Sequence, residues 1–510
     1  MRKMLVLVMV IGLFTLSACS SMDQGYRDSE PYATEYYQEG ETYAEIVENE
    51  FIRTEDMPVS TFSTDVDTAS YANVRRMLED GYLPEPNAVR IEEMINYFDY
   101  DVDAPDEGEV IHVFSEFSQA PWDDNHHLLM VGLKAEEVVF EETDGMNLVF
   151  LIDVSGSMGS SDKLPLLVRA FELLVDNLRP KDRISIVVYA GAAGVVLEGG
   201  DSSNKREIYD ALDDLEAGGS TAGGEGIELA YKVAERNFIE GGNNRIIIAT
   251  DGDFNVGISD VGQLEDFISE KRDSGVFLSV LGFGTGNLRD DVLESLADHG
   301  NGVYFYIDSY KEAEKVFLNE LGASMVTVAK DVKLQIEFNP IHVKGYRLIG
   351  YENRVLEYDD FEDDEKDAGD MGSGHVVIAF YEIIPADSEE GIEEQDFEEI
   401  TELRYTDNSY ADELMYLAIR YKDPNSDTSE LIEYQAYSDD YTLETSETFN
   451  FASAVIEFGL LIRDSKYKYQ ASFDDLIERA EANLGDDEFG YRDEFIEIVE
   501  SAKRLKSRER

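Results

Sequence analysis

Between residues 147 and 321 the sequence alternates short, largely apolar runs with amphipathic segments. The run at 147–154 is apolar at six of its eight positions, and the run at 245–250 has four consecutive apolar residues between Arg245 and Thr250. A strand of this kind is buried on both faces, which is typical of a parallel sheet covered by helices. Helical patterns at 164–178 and 261–272 lie between such runs. The order predicts an α/β fold with a doubly wound, mainly parallel sheet over residues 146–323.

The segments on either side of this domain have different patterns. Residues 46–145 mix helix and strand signals and predict an N-terminal α+β module. After residue 323, strand patterns dominate, and a hairpin is predicted from 414–421 and 430–437. Three helical patterns close the chain. We therefore expect a C-terminal module over 324–510 that is β-rich and ends in helices.

The first 18 residues have a charged start and a short apolar core, which predicts a signal peptide. They precede Cys19, the single cysteine of the chain. The end of this segment, Leu16-Ser17-Ala18-Cys19, resembles the lipobox of bacterial lipoproteins. That resemblance implies cleavage before Cys19, lipid attachment to it, and a lipid-anchored place in the cell envelope, at the outer membrane or cell surface. An ordinary signal peptide is the alternative. Residues 19–45 are polar and predict a disordered tether.

The charge balance is strongly acidic, with 42 basic and 110 acidic residues and a formal net charge of −68. A field of this sign repels nucleic acid and anionic lipid headgroups, so both are excluded as partners. The acidity fits either simple solubility or life at high salt, where screening weakens self-repulsion. Nothing in the sequence indicates an oligomeric state.

One loop carries candidate metal ligands. Asp153 lies near the end of the apolar run at 147–154, and Ser155 and Ser157 follow directly after it. Open α/β sheets bind ligands at this carboxyl-terminal edge. All three side chains offer oxygen atoms, which suit a hard cation such as Mg²⁺.

Two further segments make the loop resemble the metal-ion-dependent adhesion site (MIDAS) of von Willebrand factor A domains. Gly218-Gly219-Ser220-Thr221 precedes a predicted helix, and Asp251 follows the apolar run at 245–250. The resemblance implies that Ser155, Ser157 and Thr221 coordinate the metal directly, and that Asp153 and Asp251 act directly or through waters. Mg²⁺ is the expected cofactor, with Mn²⁺ or Ca²⁺ as alternatives.

The resemblance also implies a function. Members of this family bind a carboxylate of a partner protein through an exchangeable position on the metal, so we expect an acidic protein ligand and no enzymatic activity. The flanking segments at 60–100 and 451–467 resemble those of a group of bacterial von Willebrand factor A lipoproteins. Two alternatives stay open: an envelope scaffold whose metal is not accessible to a ligand, and a metal-dependent hydrolase.

Three weaker signals are not interpreted as sites. The run Asp65-Val66-Asp67-Thr68 lacks the apolar strand that precedes the nucleophile of haloacid dehalogenase-type phosphatases. The loop after Asp251 lacks the glycine and the last glutamate of an EF-hand. His126 and His127 are adjacent, so in a strand they point apart, and we expect a structural role for them.

Overall fold

A computed structural model describes residues 40–64, 67–139, 143–219, 223–252, 261–320, 325–364, 366, 368–397, 400, 403–424, 426 and 428–509. The predicted tether is therefore described only from Gly40, and the signal peptide and Cys19 lie outside the described residues. Within the described part, no helix is both long enough and apolar enough to cross a membrane.

The N-terminal segment contributes four strands and two helices. They are β1 (Ile52–Arg53), β2 (Val59–Ser63), α1 (Ala69–Glu79), α2 (Ile91–Asn96), β3 (Ile111–Gln119) and β4 (His127–Ala135).

The central segment alternates strands and helices as expected. The strands are β5 (Met146–Asp153), β6 (Arg183–Tyr189), β7 (Ala193–Asp201), β8 (Asn243–Thr250), β9 (Phe277–Phe283) and β10 (Tyr304–Ile307). The helices are α3 (Leu164–Asn177), α4 (Lys205–Asp213), α5 (Gly223–Arg236), α6 (Val261–Arg272), α7 (Asp290–His299) and α8 (Tyr310–Lys315).

The central strands form one sheet in the order β10-β9-β8-β5-β6-β7, parallel except for the antiparallel edge strand β7. Strand β5 is buried along its whole length because its side chains alternate between two cores. Phe150 faces the core that contains Phe171 of α3, whereas Leu151 faces the core that contains Ile227 of α5. The predicted α/β class and doubly wound sheet are confirmed.

The C-terminal segment adds seven strands and three helices. They are β11 (Thr327–Phe338), β12 (Val343–Ile349), β13 (Val355–Leu356), β14 (Gly369–Gly372), β15 (Val376–Pro385), β16 (Glu413–Lys422), β17 (Ser429–Tyr437), α9 (Glu447–Arg463), α10 (Phe473–Glu481) and α11 (Tyr491–Glu509). Strands β16 and β17 pair as the predicted hairpin.

The two flanking segments share their sheets. One sheet has the order β1-β12-β15-β4-β3, and the other has the order β13-β2-β11-β16-β17, with β14 paired to β11. Each sheet thus mixes strands that come before and after the central domain. Where the sequence suggests two modules, 46–145 and 324–510, the structure has one shared framework. The reason is that β1 and β2 are short strands whose described partners all come from the C-terminal segment.

Residues of the predicted tether contact the central domain. Thr42 donates its backbone N–H to the carbonyl of Leu288, 2.9 Å away, and Glu41 accepts a hydrogen bond from the N–H of Gly286. The loop that they contact follows β9, at the same sheet edge as the predicted metal loop. The chain therefore enters the described structure beside that edge.

Candidate metal centre

Asp153 is the last residue of β5 and is completely buried. Its Oδ1 accepts a hydrogen bond from the backbone N–H of Ser155 at 2.7 Å. The chain then turns through a 3-10 helix at Gly156–Gly159, and the hydroxyl oxygens of Ser155 and Ser157 lie 2.9 Å apart. The three predicted ligands of the first loop are thus brought together.

Asp251 follows β8, which is parallel to β5 and adjacent to it, so both aspartates lie at the same sheet edge. The backbone at Gly252 has φ +95°, and a Cβ there would lie 2.6 Å from the carbonyl oxygen of Asn287. Only glycine fits this close approach without displacing the backbone after β9. The tight turn fixes the place of Asp251.

The loop that leads to Thr221 is held against the first loop by two backbone hydrogen bonds. Gly218 donates to the carbonyl of Val154 at 2.8 Å, and Gly156 donates to the carbonyl of Gly219 at 3.2 Å. Ser220 and Thr221 themselves lie outside the described residues, and helix α5 begins shortly after them at Gly223. Four of the five predicted ligands are therefore described, and the segment before the fifth reaches the same edge.

Two buried carboxylates, those of Asp153 and Asp251, lie near each other at this sheet edge. Burial and the neighbouring charge of Asp251 together raise the pKa of Asp153 to about 6, although hydrogen bonds from Ser155 lower it. Thr250 lies 3.4 Å from the second oxygen of Asp153. A cation between the two carboxylates would favour the charged form of Asp153.

The donor set fits a divalent metal ion. The Oδ1 atom of Asp251 is buried and has no hydrogen-bond partner among the described residues. A buried, unpaired carboxylate oxygen is costly unless a cation or a donor reaches it. Together with the carboxylate of Asp153 and the two serine hydroxyls, it offers the all-oxygen environment that hard divalent cations require.

Lys163 is a residue of the site that the sequence reasoning missed. Its ammonium group lies 2.9 Å from Oδ2 of Asp251, and both side chains are buried. The residue is the N-cap of α3, six positions beyond Ser157. A lone lysine before an apolar helix carries no local signal, because its partner comes from a loop more than 80 residues away.

The residues of the rejected motifs have structural partners. Both ring nitrogens of His126 face carboxylates, with Nδ1 2.8 Å from Glu382 and Nε2 2.9 Å from Glu390. Asp67 accepts a hydrogen bond from the backbone of Tyr304 at 2.7 Å, whereas Asp65 lies outside the described residues.

A second carboxylate cluster joins Asp67, Glu93 and Glu294, whose oxygens lie within 4.8 Å of one another. Arg90 and Arg354 reach into it: Arg90 pairs with Glu93 and lies 3.7 Å from Glu294, and Arg354 lies 3.4 Å from Asp67. Because two guanidinium groups already lie among these carboxylates, we interpret the cluster as a buried charge network that joins the three segments.

Comparison with known proteins identifies the family. The chain is 42% identical to the uncharacterized protein YfbK of Escherichia coli strain K12 over an alignment of 468 residues. This alignment covers 90% of this chain and 80% of YfbK. The chain belongs to the YfbK family. The model of the YfbK C-terminal region matches residues 323–505, the von Willebrand factor type A model matches 147–319, and a further von Willebrand factor model matches 37–130.

Solved structures align with parts of this YfbK-family chain. A von Willebrand factor type A protein from Catenulispora acidiphila is 16% identical and covers 78% of this chain and 91% of its own, with a TM-score of 0.42. Proximal thread matrix protein 1 from the mussel byssus, with a zinc-occupied MIDAS motif, is 24% identical and covers 35% of this chain and 46% of its own, with a TM-score of 0.30. Von Willebrand factor type A domains commonly bind a metal through this motif and mediate protein interactions.

Proposed function

We propose that this chain is a lipid-anchored, metal-dependent protein-binding module of the bacterial cell envelope. The observation that carries the proposal is the convergence of Asp153, Ser155, Ser157 and Asp251 at one sheet edge, with one buried oxygen of Asp251 left without a described partner. Thr221 completes the proposed ligand set. Mg²⁺ is the proposed resident ion.

The chemistry of such a site favours binding of an acidic group. Two carboxylates and three neutral hydroxyls do not saturate a magnesium ion, which takes six oxygens and keeps waters where the protein provides none. A carboxylate of a partner protein can replace one of these waters. We propose that this exchange is the binding event.

The surface beside the metal loop suits a protein partner. A cavity of about 280 Å³ opens next to the loop, and most of the side chains that line it are apolar. Leu164, Pro165, Val168, Leu212 and Leu215 are among its lining residues. An acidic side chain on the metal and an apolar side chain in this cavity would together bury more surface than the metal contact alone.

A binding role is favoured over catalysis. Among the described residues, neither serine hydroxyl of the loop is paired with a histidine or a lysine that could remove its proton. Lys163, the cation beside the loop, is bound to Asp251. We therefore propose that the protein is not an enzyme.

The proposed anchor rests on Cys19 and the apolar segment before it. Lipid attachment would hold the chain at a membrane surface, with the acidic bulk of the protein in solvent. The test is metabolic labelling with a radioactive fatty acid. The native chain should carry the label in the membrane fraction, and Cys19→Ser should carry none; a labelled Cys19→Ser chain would contradict the anchor.

The binding function is tested by capture of envelope proteins on the immobilised chain, with Mg²⁺ or with EDTA. We expect the native chain to retain partners in Mg²⁺ but not in EDTA. We also expect the Ser155→Ala and Asp251→Ala variants not to retain these partners. Ser160→Ala is the matched control, because Ser160 is an exposed serine just beyond the same loop. Partners that stay bound in EDTA and to both site variants would refute the proposal and favour the scaffold alternative.

A further inference from the structure

Lys163 places a positive charge inside a site built to hold a metal cation. Its Nζ lies 2.9 Å from Oδ2 of Asp251, and its side chain is only 9% exposed. The same carboxylate keeps its other oxygen, Oδ1, buried without a partner among the described residues. One carboxylate oxygen of Asp251 thus binds the ammonium group of Lys163, and the other can coordinate a metal ion.

The position of Lys163 is fixed by its surroundings. Its backbone N–H donates to Ser160 and its carbonyl accepts from Leu167, because the residue caps the start of α3. Its stem runs past Gly284, where a Cβ would overlap Cε of the lysine. The carbonyl of Gly284 is in turn held by the hydroxyl of Tyr306 at 2.6 Å. The ammonium group is therefore placed by two segments and does not reach Asp251 by chance.

The formal charge of the site depends on this lysine. Asp153 and Asp251 together carry two negative charges, which would cancel the two positive charges of a divalent metal. Lys163 adds one positive charge, so the loaded site is left with a net charge of one positive. In a chain with a formal charge of −68, a local positive site is what an incoming carboxylate needs.

We propose that Lys163 is a built-in counter-cation that keeps the metal-loaded site positive and thereby selects anionic ligands. The inference rests on the proposed metal-dependent binding function and deepens it. Lys163 acts through Asp251 and through the field at the metal, so it is a positioning and selectivity residue and not a metal ligand.

Two consequences of opposite sign separate this role from a merely structural one. The lysine repels the metal, so its charge weakens metal binding. It attracts a carboxylate, so the same charge strengthens ligand binding to the loaded site. A residue that only holds the loop in shape would weaken both steps when it is removed.

The experiment uses the full chain with Mn²⁺ as the metal probe and acetate as the ligand probe. Calorimetry measures Mn²⁺ affinity, and the effect of acetate on water relaxation at bound Mn²⁺ measures carboxylate binding. Lys163→Met keeps the stem and removes the charge. We expect Mn²⁺ to bind at least about tenfold tighter and acetate at least about tenfold weaker, because a unit charge a few ångströms away in a partly buried site has an effect of this size or larger. Lys163→Arg should stay near the native values for both.

Two results would overturn the counter-cation role of Lys163 but leave the metal site in place. In one, the Lys163→Met variant binds Mn²⁺ more weakly than the native chain. In the other, the variant binds acetate as well as the native chain does. A native chain that binds no Mn²⁺ overturns the proposed function and this inference together. Should Lys163→Met fail to fold without metal, Lys163→Gln purified in Mn²⁺ and then dialysed supplies the same two affinities.

Discussion

Arg75 and Glu494 form an ion pair of 2.9 Å between residues 419 positions apart in the chain. Arg75 belongs to α1, and Glu494 belongs to the last helix, α11. The same guanidinium also binds Asp308 at 2.6 Å and Glu312 at 2.7 Å, both from the central domain. One buried cation thus holds together residues of all three segments.

The first prediction concerns this cation. Arg75→Met should lower the free energy of unfolding by about 3 to 5 kcal/mol, because it leaves buried carboxylates without their partner. Urea unfolding followed by circular dichroism measures the change. Arg206→Met is the control, because Arg206 pairs with Asp210 on the surface and should change stability little. Equal effects of the two variants would contradict the central role of Arg75.

The second prediction concerns the turn after β8. Gly252 and Gly286 have nearly the same φ angle, +95° and +97°, but of the two only Gly252 has backbone atoms close to the place of a Cβ. Gly286→Ala should cost about 1 to 2 kcal/mol from the backbone conformation alone. Gly252→Ala should cost at least about 3 kcal/mol, because overpacking adds to that strain. Gly252→Ala should also weaken Mn²⁺ binding, whereas Gly286→Ala should leave it unchanged. If the two variants lose the same stability and the same Mn²⁺ affinity, the close packing at Gly252 is contradicted.

The third prediction is a pH dependence of stability set by His126. Burial opposes its charge, but hydrogen bonds with Glu382 and Glu390 outweigh burial and raise the pKa of His126. A raised pKa means that the folded state holds the proton more tightly, so the contribution is complete below the unfolded pKa of about 6.5 and is lost as pH rises through the folded pKa. His126→Gln should therefore cost about 2 kcal/mol at pH 6 and less at pH 9.

The adjacent histidine is the control for this pH profile. Burial lowers the pKa of His127, which packs against Phe117 and Tyr441 instead of bonding to carboxylates. Its replacement by glutamine should not make the loss of stability greatest at low pH. Thermal unfolding of both variants between pH 5.5 and pH 9 gives the comparison. A loss of stability in His126→Gln that does not change with pH would contradict a contribution from the protonated ring.

The fourth prediction concerns metal removal. A metal that binds only the folded chain stabilises it by mass action, by about 2.7 kcal/mol when the free ion is at 100 times its dissociation constant. Millimolar Mg²⁺ should raise the melting temperature, and EDTA should reverse the change. Ser155→Ala should abolish the shift, whereas Ser160→Ala should retain it. A shift of the same size in Ser155→Ala would place the stabilising ion elsewhere.

The parts that could be predicted from the sequence are those with a local cause. The apolar run at 147–154 must be buried on both faces, and the structure gives β5 that place at the centre of the sheet. The motif begins with Asp153, the last residue of that strand, and continues to Ser157, so its location at the sheet edge follows from the chain order. The family resemblance then added Asp251 from the neighbouring strand, and the structure brings it to the same edge.

The parts that could not be predicted depend on contacts between distant residues. Nothing near His126 indicates that Glu382 lies beside its ring, because their pairing follows from the antiparallel register of β4 and β15. The bond between Lys163 and Asp251 is of the same kind. Periodicity reveals which face of an element is buried, but it does not say which distant element covers that face.

The sheets shared by the flanking segments have a consequence for the newly made chain. Strand β2 is synthesised long before β11 and β13, the described strands with which it pairs. The central domain can close its own sheet from consecutive strands while β1 and β2 still lack partners. Until the C-terminal segment emerges, these strands present open edges that invite pairing with other chains. A chain that stops near residue 325 would keep the metal loops but retain those edges, so premature termination should yield aggregates instead of a smaller functional protein.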